Sequence, residues 1–496
     1  MLSLILWSPL LGALLLGLMP GKDAKGLRTG ALALSLVHLG LVAWLLSGFA
    51  LGQAGYKMQE SAVWLPALGS SYHLGLDGIS LWLVALNALL LPLAILASWK
   101  AVTKDVKAFH VLMFGLQSMV YGVFLSLDAF LFYLFWEASL LPMYFLIGVW
   151  GGERRLYATI KFVLYTLAGS LLMLVAMIWM ALQAKAQLGH LSFSLLDWQA
   201  VHLDLGPERW IFLAFFTAFA IKVPLWPFHT WLPDAHVEAP TAGSVLLAGV
   251  LLKLGTYGLM RFVPLFPNAA GLYQTPVMIL GLIGTLYGAA MVLVQKDFKK
   301  MVAYSSVSHM GLCVVGIFSF TTMGQQGALL TMVNHGLSTG ALFMVVGIFY
   351  ERTHTRDLAL YGGAVHKMPV LGLLFLPIVL SSMGVPGTNG FVNEFLCLRG
   401  AFEYDAAYGA VAALSVILGA AYMLRLTQKV MYGPVASHQM EELVDLDARE
   451  KAGLGVLVLL IFLLGIFPNL LLRASEPSVV QGLHLVRGMA APVPLP

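Results

Sequence analysis

Long apolar blocks separated by short polar connections make up most of this chain. They fall at about 2–19, 27–48, 77–99, 108–126, 129–150, 158–182 and 209–227. They continue at about 240–262, 271–294, 301–321, 326–350, 370–398, 405–431 and 451–473, which makes fourteen. A hydrocarbon core about 30 Å thick is crossed by about 20 apolar residues of helix. The pattern therefore predicts an all-α polytopic membrane protein with about 14 transmembrane helices. The two longest connections, 49–76 and 183–208, carry Trp64, Asp197, Trp198 and Asp204 and read as partly ordered extramembrane loops.

Runs seven and twelve are interrupted, by KVPLWP around Pro224 and by MGVPGTNG around Pro386. Each break follows a run with similar spacing: YTLAGSLLMLVAMI from Tyr165 and HGLSTGALFMVVGI from His335 align Leu167 with Leu337 and Ile178 with Ile348. Four spans lie between the two runs, so they cross in opposite directions and the repeat is inverted. Discontinuous helices at matching places of inverted repeats point to an ion path. The division this predicts is 1–107, then a first repeat over 108–262, a second over 271–431, and a C-terminal helix and tail over 432–496.

Composition agrees. Of 496 residues 59% are hydrophobic and only 10% charged, against about 25% in a soluble domain. Of the 28 lysines and arginines, 18 fall on the side of the connection after the first run, seven on the other and three inside runs. The asymmetry places the first side in the cytoplasm and both termini outside. The first run lacks leading basic residues and a small-residue cleavage site, so it reads as a retained helix. Two cysteines, Cys313 and Cys397, exclude a disulfide framework and a four-cysteine cluster built by this chain alone. Neither a Walker A loop nor a dinucleotide fingerprint occurs, which argues against nucleotide hydrolysis or NADH binding here.

Candidate chemistry lies in the few ionisable residues inside the runs. Lys222 ends an apolar stretch two residues before Pro224, which leaves the Ala220 carbonyl without its usual helical donor. Lys253 lies thirteen residues past Pro240, roughly 20 Å into a helix. A buried lysine costs about 2.5–3.5 kcal/mol and, unlike arginine, can give up its proton. Glu137 sits among aromatics in LFYLFWEASLLPMYF, and Glu394 follows GVPGTNG by four residues. His309, in AYSSVSHMGLC, and His335, in TMVNHGLSTG, are of the residue type that relays protons near neutral pH. Snorkelling, capping or a satisfied interior hydrogen bond is the alternative for each taken singly. No carboxylate or cysteine stands at metal-ligand spacing beside either histidine. His229 and His236, in HTWLPDAHVEAP, are expected in a cytoplasmic loop that caps a channel entrance.

KVPLWPFHTWLPDAHVEAPTAGSVLLAGVLLKLGTYGLMRF, AYSSVSHMG and GVPGTNGFVNEF resemble the antiporter-like subunits of respiratory complex I, most nearly the M type. The likeness spans about 76–432. It implies fourteen helices with two inverted five-helix repeats, and a proton-translocating subunit of an NADH:quinone oxidoreductase in a bacterial inner membrane. In that family Glu137 would pair with Lys222, while Lys253, His309 and His335 form a central polar axis and Glu394 faces the exit. The chain itself would bind no cofactor; NADH, FMN, iron–sulfur clusters and quinone would belong to partner subunits. Other membrane-arm subunits, including sister antiporter-like ones, and lipids are the implied partners. Asn393 departs from the family, where glycine is expected. A sodium/proton antiporter or membrane-bound hydrogenase subunit, and a passive membrane spacer, are the alternatives.

Overall fold

The computed structural model describes residues 1–49, 52 and 54–489. Its long helices begin with α1 (Leu2–Leu18), α2 (Ala24–Ser47), α3 (Ser80–Ala97), α4 (Val106–Leu125), α5 (Ala129–Trp150) and α6 (Arg155–Leu188). The broken seventh run gives α7 (Leu205–Lys222) and a short α8 (Trp231–Glu238). There follow α9 (Thr241–Leu265), α10 (Pro267–Val294), α11 (Phe298–Phe318) and α12 (Thr322–Thr353). The twelfth run divides into α13 (Pro369–Ser382) and α14 (Asn389–Tyr404), and the chain closes with α15 (Ala406–Met431), α16 (Ala448–Ile466) and α17 (Asn469–Met489).

Ten of these helices are long and apolar enough to cross a membrane, eleven if α16 and α17, bent by 65°, count as one span. The fourteen expected runs include three that fall short for a physical reason. The seventeen-residue α1 is short, and breaks at Pro224 and Pro386 divide runs seven and twelve. The fourteenth run ends early at Ile466, because Pro468 starts a new direction and the residues beyond it form an amphipathic helix rather than a tail. In α17, Leu471, Ala474, Val479, Leu483 and Val486 are buried, and Arg487 Nη2 donates to the Phe320 carbonyl at 2.8 Å.

The connection at 49–76 contains a β-hairpin, β1 (Met58–Leu65) paired antiparallel with β2 (Ser70–Leu76). Asp128 fixes it to the bundle, accepting from Ser70 Oγ and Ser71 N at 2.9 Å while it caps α5 through Phe130 N and Leu131 N.

Burial sorts the helices. The apolar windows of α9 and α12 are wholly enclosed, whereas those of α2 and α15 are 28% buried and turn most of their surface outward. Close packing at the centre depends on glycine. A Cβ on Gly336 of α12 would stand 3.0 Å from the Gly249 carbonyl of α9 and 2.7 Å from Leu86 of α3. Small residues let membrane helices approach this closely, and here they bring the enclosed lysine of α9 against α12.

Candidate functional site

α9 is not a regular helix. Residues Leu247–Leu251 form a π turn, the extra residue of which turns the following residues about the axis. Lys253 lies two residues beyond it and is fully buried. Its ammonium reaches back to donate to the Ala248 carbonyl, within the π turn, and lies 2.7 Å from His335 Nδ1. The π turn thus frees a carbonyl for a side chain that would otherwise have only one polar partner.

From there the polar groups continue. The His335 and His309 rings are 5.9 Å apart, edge to face, and His309 Nδ1 lies 3.4 Å from Glu394 Oε1. Tyr422 of α15 holds the other side of His309, hydroxyl to Nε2 3.4 Å. Between the histidines and Glu394 is a cavity of about 20 Å³, enough for one water. His335 Nε2 and Asn334 Oδ1, from residues in its wall, are buried and make no hydrogen bond among the described residues. A hydrogen-bonded rim encloses it: Ser338 Oγ to Ser381 Oγ at 2.7 Å, Ser381 Oγ to Asn389 Oδ1 at 2.6 Å, and Asn334 Nδ2 to the Asn389 carbonyl at 2.8 Å. The amides of Asn334 and Asn393 meet at 3.0 Å, so the asparagine that stands where glycine was expected joins this rim.

Glu394 is the sixth residue of α14 and no cap: Asp or Glu in the first turn is absent, and Thr388 Oγ1 bonds back to the Val385 carbonyl at 2.7 Å. At the break before it, Gly384 adopts a φ of 69°, and a Cβ there would stand 2.5 Å from Glu394 Oε2. Only glycine combines that backbone with that approach.

The other two residues of the expected set lie apart from this chain of contacts. Lys222 ends α7, 1% exposed, and its Nζ has no hydrogen-bond partner among the described residues. It faces rings instead, 5.2 Å from the centroid of Trp136 and 5.7 Å from that of Phe162. Glu137 is near enough to interact electrostatically with Lys222, but the two form no close ion pair among the described residues. The Ala220 carbonyl, expected to be free because Pro224 has no N–H, accepts from Leu225 N at 2.8 Å and makes no hydrogen bond with the ammonium. Lys222 and Lys253 do not meet, and where their helices touch the packing is close: a Cβ on Gly255 would lie 2.8 Å from the Phe219 carbonyl and from Val223 Cγ2.

Sequence reasoning missed several groups. His229 and His236, expected on a cytoplasmic loop, are 3% and 0% exposed, because the segment that carries them is packed into the bundle through Trp231. Trp231 Nε1 donates to the Ile221 carbonyl at 2.8 Å, and its ring lies 5.2 Å from that of Phe162. The aromatic content of HTWLPDAHVEAP was a signal of burial. Lys299, counted with the cytoplasmic charges, is also buried. The π turn has no proline or charge to announce it. Among the described residues no group of three His, Cys, Asp or Glu side chains could hold a metal ion.

Enclosed helices, two broken spans and a row of ionisable groups within the helix bundle define a membrane protein of the ion-translocating class. The chain belongs to the family described as NADH:quinone oxidoreductase/Mrp antiporter, TM, which matches residues 126–419. The N-terminal family of NADH-ubiquinone oxidoreductase chain 4 matches 54–125. Within that class the chain is similar to NADH-quinone oxidoreductase subunit M of Rhodobacter capsulatus, 42% identical over 99% of this chain and 97% of that one. The Escherichia coli subunit M is 41% identical over 89% of each. A chain of respiratory complex I from Thermus thermophilus with bound NADH superposes with a TM-score of 0.89, at 34% identity over 98% of this chain and all of that one.

Proposed function

We propose that this chain is a proton-translocating membrane subunit of an NADH:quinone oxidoreductase, driven by quinone reduction in partner subunits. The observation that carries the proposal is the succession Lys253, His335, His309, Glu394: Lys253 Nζ lies 2.7 Å from His335 Nδ1, the two imidazole rings are 5.9 Å apart centre to centre, and His309 Nδ1 lies 3.4 Å from Glu394 Oε1. Four groups able to hold a proton, the last of them on a broken helix and three of them lining one water-sized cavity, form a transfer path and have no need of a redox centre. Glu137 and Lys222 act as the control on that path. Drawing Glu137 towards Lys222 holds the proton on the ammonium, and separating them releases it towards Lys253. The proton then passes by His335 and His309 to Glu394 and leaves on the far side.

In this account residues 108–262 and 271–431 are the two inverted repeats, one holding each broken span. NADH, FMN, the iron–sulfur clusters and quinone sit in partner subunits. The chain lies in a bacterial inner membrane with both termini on the periplasmic side, beside other membrane-arm subunits including sister antiporter-like ones.

The test is Lys222→Ala in purified complex reconstituted into liposomes, with assembly confirmed and quinone-reductase rate and proton transfer recorded together. Both fall if Lys222 controls the path. If both persist, the chain is a passive spacer. A proton signal replaced by sodium transport would instead favour the antiporter alternative.

A further inference from the structure

Lys253 is aimed by a helix that could be set in more than one register. The π turn of α9 carries one residue more than an α turn, and no side-chain hydrogen bond caps it or the segment after it. One residue of slip in that segment would turn Lys253 about 100° round the axis and move it about 1.5 Å along it. What holds the register lies towards the far end of the same helix. Tyr257 and Arg261 follow Lys253 at four-residue intervals, on one side of α9. Tyr257 Oη donates to the Phe124 carbonyl of α4 at 2.8 Å. Arg261 grips Asp77 at two points, Nη1 to Oδ2 at 2.8 Å and Nη2 to Oδ1, and the two side chains are 9% and 4% exposed. A guanidinium held at two points fixes rotation as well as position.

Asp77 belongs to the start of α3. Its Oδ1 also accepts from Ile79 N at 3.1 Å and from Ser80 N at 3.0 Å, so the far end of α9 cannot rotate unless the start of α3 does. From there α3 runs back along α9 to the π turn. Leu90 leaves no room for a Cβ on Gly249, within the turn, and Leu86 stands 2.7 Å from where a Cβ on Gly336 would be. The lengths agree, since Asp77 to Leu90 spans about 20 Å of helix and Gly249 to Arg261 about 18 Å. α3 is therefore a splint, tied to α9 by an ion pair at one end and by packing at the other, with Lys253 between. Replacing a buried ion pair by apolar side chains often costs no stability, so stability alone does not account for one in this place.

Building on the pumping role proposed above, we propose that Asp77 and Arg261 are positioning residues for proton transfer. Their ion pair fixes the register of α9 and so aims Lys253 at His335 Nδ1.

The experiment uses intact complex in liposomes. Quinone-reductase rate, proton transfer and the solvent deuterium isotope effect on the coupled rate are recorded per assembled complex. Arg261→Lys keeps the charge but loses the two-point grip. It is expected to assemble and to lose about tenfold in both rates, less than the about 100-fold that a misplacement of about 1 Å can cost. The isotope effect should rise above the wild-type value, because transfer across a wider Lys253–His335 gap becomes the slow step. A pair that only held the bundle together would leave it unchanged. The double variant Asp77→Asn, Arg261→Met leaves no buried charge unpaired and keeps an acceptor at the start of α3, so it covers a failure of the single variant to fold. The same losses are expected of it. Wild-type rates in either assembled variant overturn the proposal, and so does a lower rate with the wild-type isotope effect. Failure of both to assemble also overturns it, because the pair would then hold the fold and not aim a lysine. If Lys253→Met stops pumping while these variants pump normally, the register role alone falls. If Lys253→Met pumps normally, the pumping path falls with it.

Discussion

The two ends of the buried polar path differ in how their groups meet. Around Lys253, His335, His309 and Glu394 the side chains are in succession, and two of the three contacts are within 3.4 Å. Around Glu137 and Lys222 they are separate: the ammonium faces aromatic rings and, among the described residues, one carboxylate oxygen lacks a hydrogen-bond partner. A lysine enclosed by aromatic rings responds strongly to a carboxylate moving nearer or away. A lysine bonded to a carbonyl and an imidazole is set by geometry that moves little. One end is built as a control and the other as a conductor, a difference that a set of six residues read from sequence does not convey.

That comparison can be broken at several points, and the largest effect is expected in the conductor. His335→Ala removes the group that joins Lys253 to His309, and coupled turnover of the assembled complex should fall about 100-fold. Recording the quinone-reductase rate beside assembly checks this, and a fall of less than threefold would mean that water bridges the gap unaided.

Glu137→Gln is the corresponding change in the control. It leaves the conductor whole, so the loss should be smaller, about fivefold or more, the low end of a 1–3 kcal/mol coupling. Full pumping by an assembled Glu137→Gln complex would end the role given to that carboxylate.

A third change alters no ionisable group. Gly336→Ala sets a methyl 3.0 Å from the Gly249 carbonyl and 2.7 Å from Leu86, so α12 must move away from the π turn. Overpacking of this kind costs about 1–3 kcal/mol. A lower thermal midpoint should accompany a longer Lys253–His335 separation and a reduced rate. The smallest effect is expected at Tyr422→Phe, which removes a 3.4 Å contact to His309 and should change turnover by less than about threefold, as the loss of one weak hydrogen bond does.

Much of this was legible in the sequence. The apolar runs gave the helices, because length and hydropathy alone decide what crosses a bilayer, and proline and glycine marked both breaks. Lys253, His309, His335 and Glu394 stood out as polar residues in apolar blocks, and the structure brings them together. The contacts between them did not stand out, since each depends on how helices distant in sequence rotate against one another. The π turn that aims Lys253 leaves no residue signature, and Gly249 within it reads as one small residue among many. Lys299 and His236 read as cytoplasmic from the order of the apolar runs, which carries no measure of burial. Their burial follows from the aromatic residues around them, above all Trp231, anchored to the Ile221 carbonyl.

Lys253 is the one group that both ends of the path require. In Lys253→Met complex, assembled and reconstituted into liposomes, proton transfer and quinone reduction should be recorded in the same vesicles. Both are expected to fall together, by about tenfold or more. Proton transfer at the wild-type ratio and rate would contradict it, because no proton could then be passing through Lys253.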